Sequence, residues 1–217
     1  MKEIRTTFYE LRSYFVPGSV LLWAIIELLV LTGYQSSTAG INSLSPVVKA
    51  ILFIIISYVF GHALHAIANF SIDKFPFASY PPKNYFNNQF QKDFSLQTID
   101  SLFNKCVSVL GIQNTSGLNA AETIKSSYWI CFQFVMNAQN IETENFLGLT
   151  GFYRGITSAM MITFVLYLIA YLKTFRNEIG IAAILAFFLF MIFLTRVRRF
   201  GNYLAKTVYS NFLHIYK

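Results

Sequence analysis

The sequence predicts an all-α integral membrane protein with four transmembrane helices and a mainly helical cytoplasmic insert between helices 2 and 3. The chain has 217 residues, of which 55% are hydrophobic and only 12% are charged, about half the charged share of an ordinary soluble domain. Four apolar runs approach the roughly 20 residues that a helix needs to cross a bilayer. A more polar segment separates these runs into two pairs, and residues 51–70, ILFIIISYVFGHALHAIANF, are one of them.

The first pair is predicted to form a transmembrane hairpin over residues 16–70, with spans at about 16–31 and 47–70. Pro17 and Gly18 indicate a break or the first turn of span 1, because proline is tolerated only there in a helix. Residues 1–15 are expected to form an amphipathic helix on the membrane surface, since four apolar side chains recur at the spacing of one helix face: Ile4, Phe8, Leu11 and Phe15.

The insert is predicted to cover residues 71–150, beginning with an irregular, proline-containing stretch up to residue 94. Residues typical of helix starts and ends follow this stretch. Ser95 is placed to cap a helix that Gly111 ends, and Asn119 starts a second helix that reaches about Gln139. A third helix begins near Thr143 and is expected to continue into the next span.

The second transmembrane hairpin is predicted over residues 151–195, with spans at about 155–172 and 178–195 joined by a tight turn. Residues 196–217 then form a basic amphipathic tail. The loop after span 1 contains no Lys or Arg, and most of these residues lie in the other segments outside the spans. Because short cytoplasmic segments carry most of the Lys and Arg, both termini and the insert are expected on the cytoplasmic side. Cys106 and Cys131 are then expected to be free, buried thiols.

Four acidic, basic or histidine side chains fall inside the first two predicted spans: Glu27, Lys49, His62 and His65. Such groups are costly in hydrocarbon and often mark a pore, a gate or an internal pair. Glu27 pairs with Lys49, or it lines an ion path if several copies assemble. The two histidines, three residues apart, either relay protons, respond to pH or share a metal, or they form hydrogen bonds between helices where Gly61 permits a close approach. With no third ligand in the pattern, we expect no metal site and no cofactor.

Basic residues flank the last two spans, and they are predicted to contact the membrane surface or a soluble partner. A nucleic-acid role is the less favoured alternative, because aromatic residues are interleaved with the arginines. No glycine-rich phosphate loop, H-E-x-x-H motif or Ser-His-Asp order is present, so the chain is not expected to be an enzyme. The basic residues concerned are Arg154, Arg196, Arg198, Arg199 and Lys206.

Four segments together resemble a family of small multi-span membrane proteins from bacterial anti-phage defence loci. They are YFVPG (14–18), YVFGHALHAI (58–67), FYRGITSAMM (152–161) and RVRRFGNYLAKTVYSNF (196–212). The family includes membrane accessory proteins of RNA-targeting CRISPR systems and the membrane component of two-gene systems such as Kiwa. The resemblance implies a bacterial inner-membrane protein that oligomerises and either senses infection-linked membrane change or perturbs the membrane.

The leading hypothesis is therefore a non-enzymatic homo-oligomer of the inner membrane that acts in antiviral defence, as a pore-forming or membrane-perturbing effector or as a sensor. Four short spans enclose too little space for a pore, so a conducting path needs several copies. The alternative is a membrane scaffold that recruits a soluble cytoplasmic protein, a nuclease or CRISPR effector, through the insert and the tail. A small transporter is the third candidate, although the sequence shows no internal repeat.

Overall fold

The computed structural model describes residues 11–34, 44–72, 85–86, 90–111 and 119–216. These residues are 91% helical and include no strand, which confirms the all-α prediction for this part of the chain. Eight α-helices follow a short π-helical turn, Leu11–Phe15: α1 Val16–Leu31, α2 Pro46–Ser71, α3 Phe90–Asp93, α4 Leu96–Leu110, α5 Ala120–Ser126, α6 Tyr128–Asn137, α7 Ile141–Thr174 and α8 Asn177–Ile215.

Within the described residues, four helical stretches are long and apolar enough to cross a bilayer: Leu11–Leu31, Pro46–Ser71, Ile141–Thr174 and Asn177–Ile215. They lie where the four spans are predicted. The chain divides into two compact units. The apolar-helix unit comprises Met1–Asp73 and Gly151–Val197, and the aromatic-core unit comprises Lys74–Thr150 and Arg198–Lys217.

Helix α1 begins at the predicted position, with Pro17 in its first turn. The chain does not break there, however, because the π-helical turn leads into α1 without interruption. Of the predicted surface helix over 1–15, residues 1–10 lie outside the described residues. Helix α2 also begins close to its predicted start: the Ser45 hydroxyl accepts a hydrogen bond from the Val48 amide, and Pro46 occupies the first turn.

The apolar-helix unit is packed through glycines that let backbones touch. A Cβ added to Gly18 would lie 1.8 Å from the Ser57 carbonyl oxygen, and a Cβ added to Gly61 would lie 2.0 Å from the Tyr14 carbonyl oxygen. Any larger side chain at either glycine would force the helices apart, because real Cβ contacts are far longer. Helix α2 therefore contacts α1 and the π-helical turn backbone to backbone, as helices packed by small residues do in membranes.

Helix α7 joins the same contact through two more glycines, spaced four residues apart on one face. Gly155 faces the Pro17 ring, where an added Cβ would lie 2.9 Å from Cγ, and Gly151 faces Ser13 with 3.1 Å to Oγ. Smaller apolar clusters extend this packing along the bundle: Leu21 with Leu64 and Ala159, and Ala24 with Tyr167, Ile179 and Ala183. Three of the four long helices thus meet around the first turn of α1.

The last two long helices are longer than the spans predicted within them. The helix predicted near Thr143 does continue into span 3 as the single helix α7, and span 4 continues into the tail as α8. Between them, the backbone turns at Phe175, which has a φ of +51°.

The aromatic-core unit follows its predicted caps. Helix α4 is capped by Ser95, whose hydroxyl accepts from the Thr98 amide, and it ends at Gly111 with a φ of +66°. Asn119 caps α5 as predicted. The prediction of one continuous helix from Asn119 to Gln139 is wrong. Ser127 interrupts the helix and donates its hydroxyl to the Ile124 carbonyl oxygen.

Buried aromatic side chains dominate the core of this unit. Residues 71–94 were expected to be irregular; most of the stretch after Ile72 lies outside the described residues, but α3 is helical. The fully or nearly fully buried core residues are Tyr85, Phe86, Phe90, Phe94, Leu102, Cys106, Ile124, Tyr128, Cys131, Val135, Leu204, Ala205, Val208, Tyr209 and Phe212. The tail residues 204–212 are thus part of a packed core.

The close contact at Gly61 predicts that one methyl group added at this position lowers the stability of the protein. Gly61→Ala should destabilise the protein by about 1–3 kcal/mol, because the added Cβ would overlap the Tyr14 carbonyl. Thermal unfolding in detergent should show a melting temperature several degrees lower. Ala63→Leu is the matched control, since Ala63 is exposed on the same helix, and it should leave the melting temperature unchanged. Equal stability of the Gly61→Ala protein and the parent would contradict the close backbone contact.

Candidate functional site

The candidate site is the junction at which the π-helical turn, α1, α2 and α7 meet. Its central hydrogen bond joins His65 Nε2 to the Ser13 carbonyl oxygen at 2.9 Å. A carbonyl only accepts, so Nε2 carries the proton and His65 is the donor. In an uninterrupted α-helix, that carbonyl would accept from the backbone of residue 17, but residue 17 is proline and has no N–H. Pro17 cannot donate to this carbonyl, and His65 donates to it from α2.

His62 occupies a different environment one turn earlier on α2. Its ring stacks on Tyr14 at 4.1 Å between centroids, with an interplanar angle of 17°, and meets Tyr58 edge to face at 4.7 Å. Tyr14 also contacts His65 at 4.6 Å. His62 itself is exposed, whereas His65 is half-buried. The two histidines thus contact the same tyrosine but differ in their access to the surroundings.

Arg154 is buried in the same unit, with 9% of its surface exposed. Its Nη2 donates a hydrogen bond to Asn69 Oδ1 at 2.6 Å, which links α7 to the last turn of α2. Arg12, on the π-helical turn, lies over the Phe152 ring at 5.6 Å. Arg154, predicted to face the membrane surface or a partner, therefore lies inside the unit and forms part of the junction.

Glu27 and Lys49 lie away from the histidines along the helices. Glu27 is half-buried on α1, one turn after Ala24, whose carbonyl oxygen accepts a hydrogen bond from Tyr167. Lys49 is half-buried in the first turn of α2. Within the described ranges, the ion pairs join Arg176 to Glu178 and Lys206 to Asp93, so the predicted Glu27–Lys49 pair is not among them.

The basic residues of α8 differ in the contacts that their side chains make. Arg196 and Arg198 are exposed, and Arg199 lies over the Tyr203 ring while its Nε donates to the Tyr203 hydroxyl. Lys206 forms an ion pair with Asp93 at 3.1 Å inside the aromatic-core unit. All three arginines are exposed, and Arg199 differs from the other two in its contact with Tyr203.

Two hydrogen bonds hold the junction together, one from His65 to Ser13 and one from Arg154 to Asn69. Across the residues that the structure describes, no three His, Cys, Asp or Glu side chains come together as metal ligands would. Sequence reasoning named His65 and Arg154 but missed their partners Ser13 and Asn69. Two signals would have found them: proline at 17 cannot donate to the carbonyl four residues earlier, and Gly151-x-x-x-Gly155 marks a close helix contact.

Four helical stretches long and apolar enough to cross a membrane indicate a multi-pass helical membrane protein, and hydrogen bonds from His65 and Arg154 join three of these stretches. Comparison with models of known protein families, with curated proteins and with solved structures found no match.

A double-mutant cycle tests the pairing of His65 with the Ser13 carbonyl. His65→Leu should cost about 0.5–1.5 kcal/mol of stability, because it removes the hydrogen bond from α2 to the Ser13 carbonyl oxygen. In a Pro17→Ala background the loss should be smaller by up to about 1 kcal/mol, since the restored N–H at position 17 can donate to Ser13. Unfolding titrations in detergent measure both losses.

The control for this cycle is His62→Leu, which removes a ring stack but no hydrogen bond to Ser13. It should show no coupling to Pro17→Ala. Identical losses for His65→Leu in the two backgrounds would show that the carbonyl does not depend on His65.

Proposed function

We propose that this chain is a non-enzymatic, homo-oligomeric protein of the bacterial inner membrane that acts in antiviral defence, as a membrane-perturbing or pore-forming effector or as a membrane sensor. Both termini and the aromatic-core unit are proposed to be cytoplasmic. The defence role is supported by the resemblance of the four segments named above. The membrane location is supported by the four apolar helices and by the distribution of Lys and Arg along the chain.

The observation that carries the membrane assignment is the apolar outer surface of these helices. Trp23 is 64% exposed, and exposed branched aliphatic side chains cover much of α2 and the first half of α8. A soluble monomer seldom exposes apolar patches of this extent, whereas lipid tails solvate such a surface at no cost. The exposed apolar residues on these two helices include Val47, Ile51, Ile54, Ile55, Val59, Ile181, Ile184, Leu185 and Phe188.

Backbone contact at the junction bears on where a conducting path would lie. Gly18 and Gly61 bring the backbones of α1 and α2 together, so little room for water remains between these two helices at that level. His65 and Arg154 are hydrogen-bonded within one chain. A water-filled path would therefore have to run between copies of the chain, and Glu27 is the acidic residue proposed to line it.

The second candidate function is a scaffold that recruits a soluble cytoplasmic partner, and a specific observation favours it. The aromatic-core unit has its own buried core, separate from the apolar clusters of the first unit. It also exposes large apolar side chains, with Leu96 80% and Trp129 48% exposed. Exposed aromatic and aliphatic groups of this kind are enriched in protein interfaces.

Reporter fusions test the proposed topology. Alkaline phosphatase, which is active only outside the cytoplasm, should be active when fused in the loop after span 1 and inactive when fused at the C-terminus. A fluorescent protein at the C-terminus should fluoresce, since it folds in the cytoplasm. The opposite pair of results would invert the topology and remove the insert from the cytoplasm.

Infection assays and liposome flux test the function. Cells that carry the gene with its native neighbours should resist phage and lose membrane potential on infection, and purified protein should make liposomes permeable. Glu27→Gln should reduce both effects at least tenfold, whereas the control Glu178→Gln, at an exposed turn, should not. Protection with unchanged permeability and a specific partner in pull-downs would favour the scaffold. Absence of protection, with monomers alone in native mass spectrometry, would contradict the proposed function.

A further inference from the structure

Two cysteines from separate helices meet in the core of the aromatic-core unit. Cys106 on α4 and Cys131 on α6 are both free and fully buried, as the sequence predicted. Their sulfur atoms lie 3.9 Å apart, although 25 positions separate them in the chain. A disulfide needs a sulfur separation of about 2.05 Å, so a combined movement of about 2 Å by the two side chains would form the bond.

We propose that Cys106 and Cys131 are a redox modification site, at which a small-molecule disulfide such as glutathione disulfide converts the two thiols into an intramolecular disulfide. The bond would tie α4 to α6 across the core. The site is independent of the proposed defence role, because it depends only on contacts within the aromatic-core unit.

The exchange balances in two steps. The thiolate of Cys106 attacks one sulfur of glutathione disulfide, which forms a mixed disulfide and releases one glutathione thiolate. The thiolate of Cys131 then attacks the Cys106 sulfur and releases the second glutathione thiolate. Overall, two protein thiols are oxidised by two electrons, and one glutathione disulfide is reduced to two glutathione molecules.

The surroundings of the two sulfurs favour Cys106 as the attacking group. Either thiol can donate a hydrogen bond to the other sulfur. With Cys131 as the donor, this hydrogen bond lowers the pKa of Cys106 and, together with burial, raises the pKa of Cys131. The thiolate is the nucleophile in disulfide exchange. In that arrangement Cys106 is the first sulfur to react, and Cys131 resolves the mixed disulfide.

Burial makes the reaction slow and keeps it specific. Neither thiol has measurable exposure, so glutathione reaches Cys106 only when the core opens locally. In a reducing compartment the pair remains two thiols. Once the mixed disulfide has formed, the sulfur of Cys131 is already in contact, and the intramolecular step is favoured over a second glutathione.

The test uses the full-length protein in detergent, equilibrated in glutathione buffers of graded oxidised-to-reduced ratio until the thiol content is constant. Free thiols are then trapped with a maleimide under denaturing conditions and counted by intact mass. The folded protein should hold at least about ten times more disulfide relative to dithiol than the SDS-unfolded chain in the same buffer, because folding fixes the two sulfurs in contact. The oxidised protein should also melt at a higher temperature than the reduced one.

Cys106→Ser and Cys131→Ser are the matched variants, and neither should form an intramolecular disulfide or show a redox-dependent melting temperature. An equal or lower disulfide ratio in the folded protein than in the unfolded chain would overturn the proposal. Accumulation of glutathione on either cysteine of the parent protein without closure of the bond would overturn it as well.

Discussion

One hydrogen bond between helices, from His65 to the Ser13 carbonyl oxygen, is central to the packing of the apolar-helix unit. Pro17 begins α1 but cannot donate to the Ser13 carbonyl. His65 donates to it from α2, at 2.9 Å. In a bilayer, an unsatisfied carbonyl costs several kcal/mol, so this hydrogen bond constrains the rotation and depth of α2 against α1. Gly18 and Gly61 make the approach possible, because any Cβ at either position would overlap the opposite backbone.

The remaining polar groups of the junction follow from that arrangement. Once α2 lies against the π-helical turn, Gly151 and Gly155 bring α7 onto Ser13 and Pro17. Arg154 lies between those two glycines in the sequence, and its side chain donates a hydrogen bond to Asn69 near the end of α2. A buried arginine is expensive in an apolar environment unless hydrogen bonds satisfy its guanidinium. The hydrogen-bonded polar pairs and the glycine contacts therefore lie in the same small region and stabilise the same contacts between helices.

Much of this structure could be predicted from the sequence where a local signal decides the outcome. Ser95, Gly111 and Asn119 act on their own backbone neighbours, and each ends or begins a helix as predicted. The start of α1 at Val16 follows from the proline that comes next. The interruption at Ser127 was missed, because a serine that bonds to the carbonyl three residues earlier has no distinctive pattern around it.

The site was predicted less completely, because its contacts join residues far apart in the chain. The spacing of His62 and His65 places them near one another on α2 but does not show that one binds a carbonyl and the other stacks on a tyrosine. Arg154 was assigned to the cytoplasmic extension of span 3, because it comes directly before the predicted start of that span at Gly155. Cys106 and Cys131 were correctly expected to be free and buried, yet their contact needs the crossing of α4 and α6, which neither helix encodes alone.

Solid-state NMR of the protein in lipid bilayers, with ¹⁵N-labelled histidine and ¹³C-labelled serine carbonyl, tests the central hydrogen bond most directly. The predicted result is a His65 ring protonated at Nε2, with a short-range dipolar contact from that nitrogen to the Ser13 carbonyl carbon. A His65 ring protonated only at Nδ1, or a spectrum with no contact to Ser13, would contradict the account of how these helices are held together.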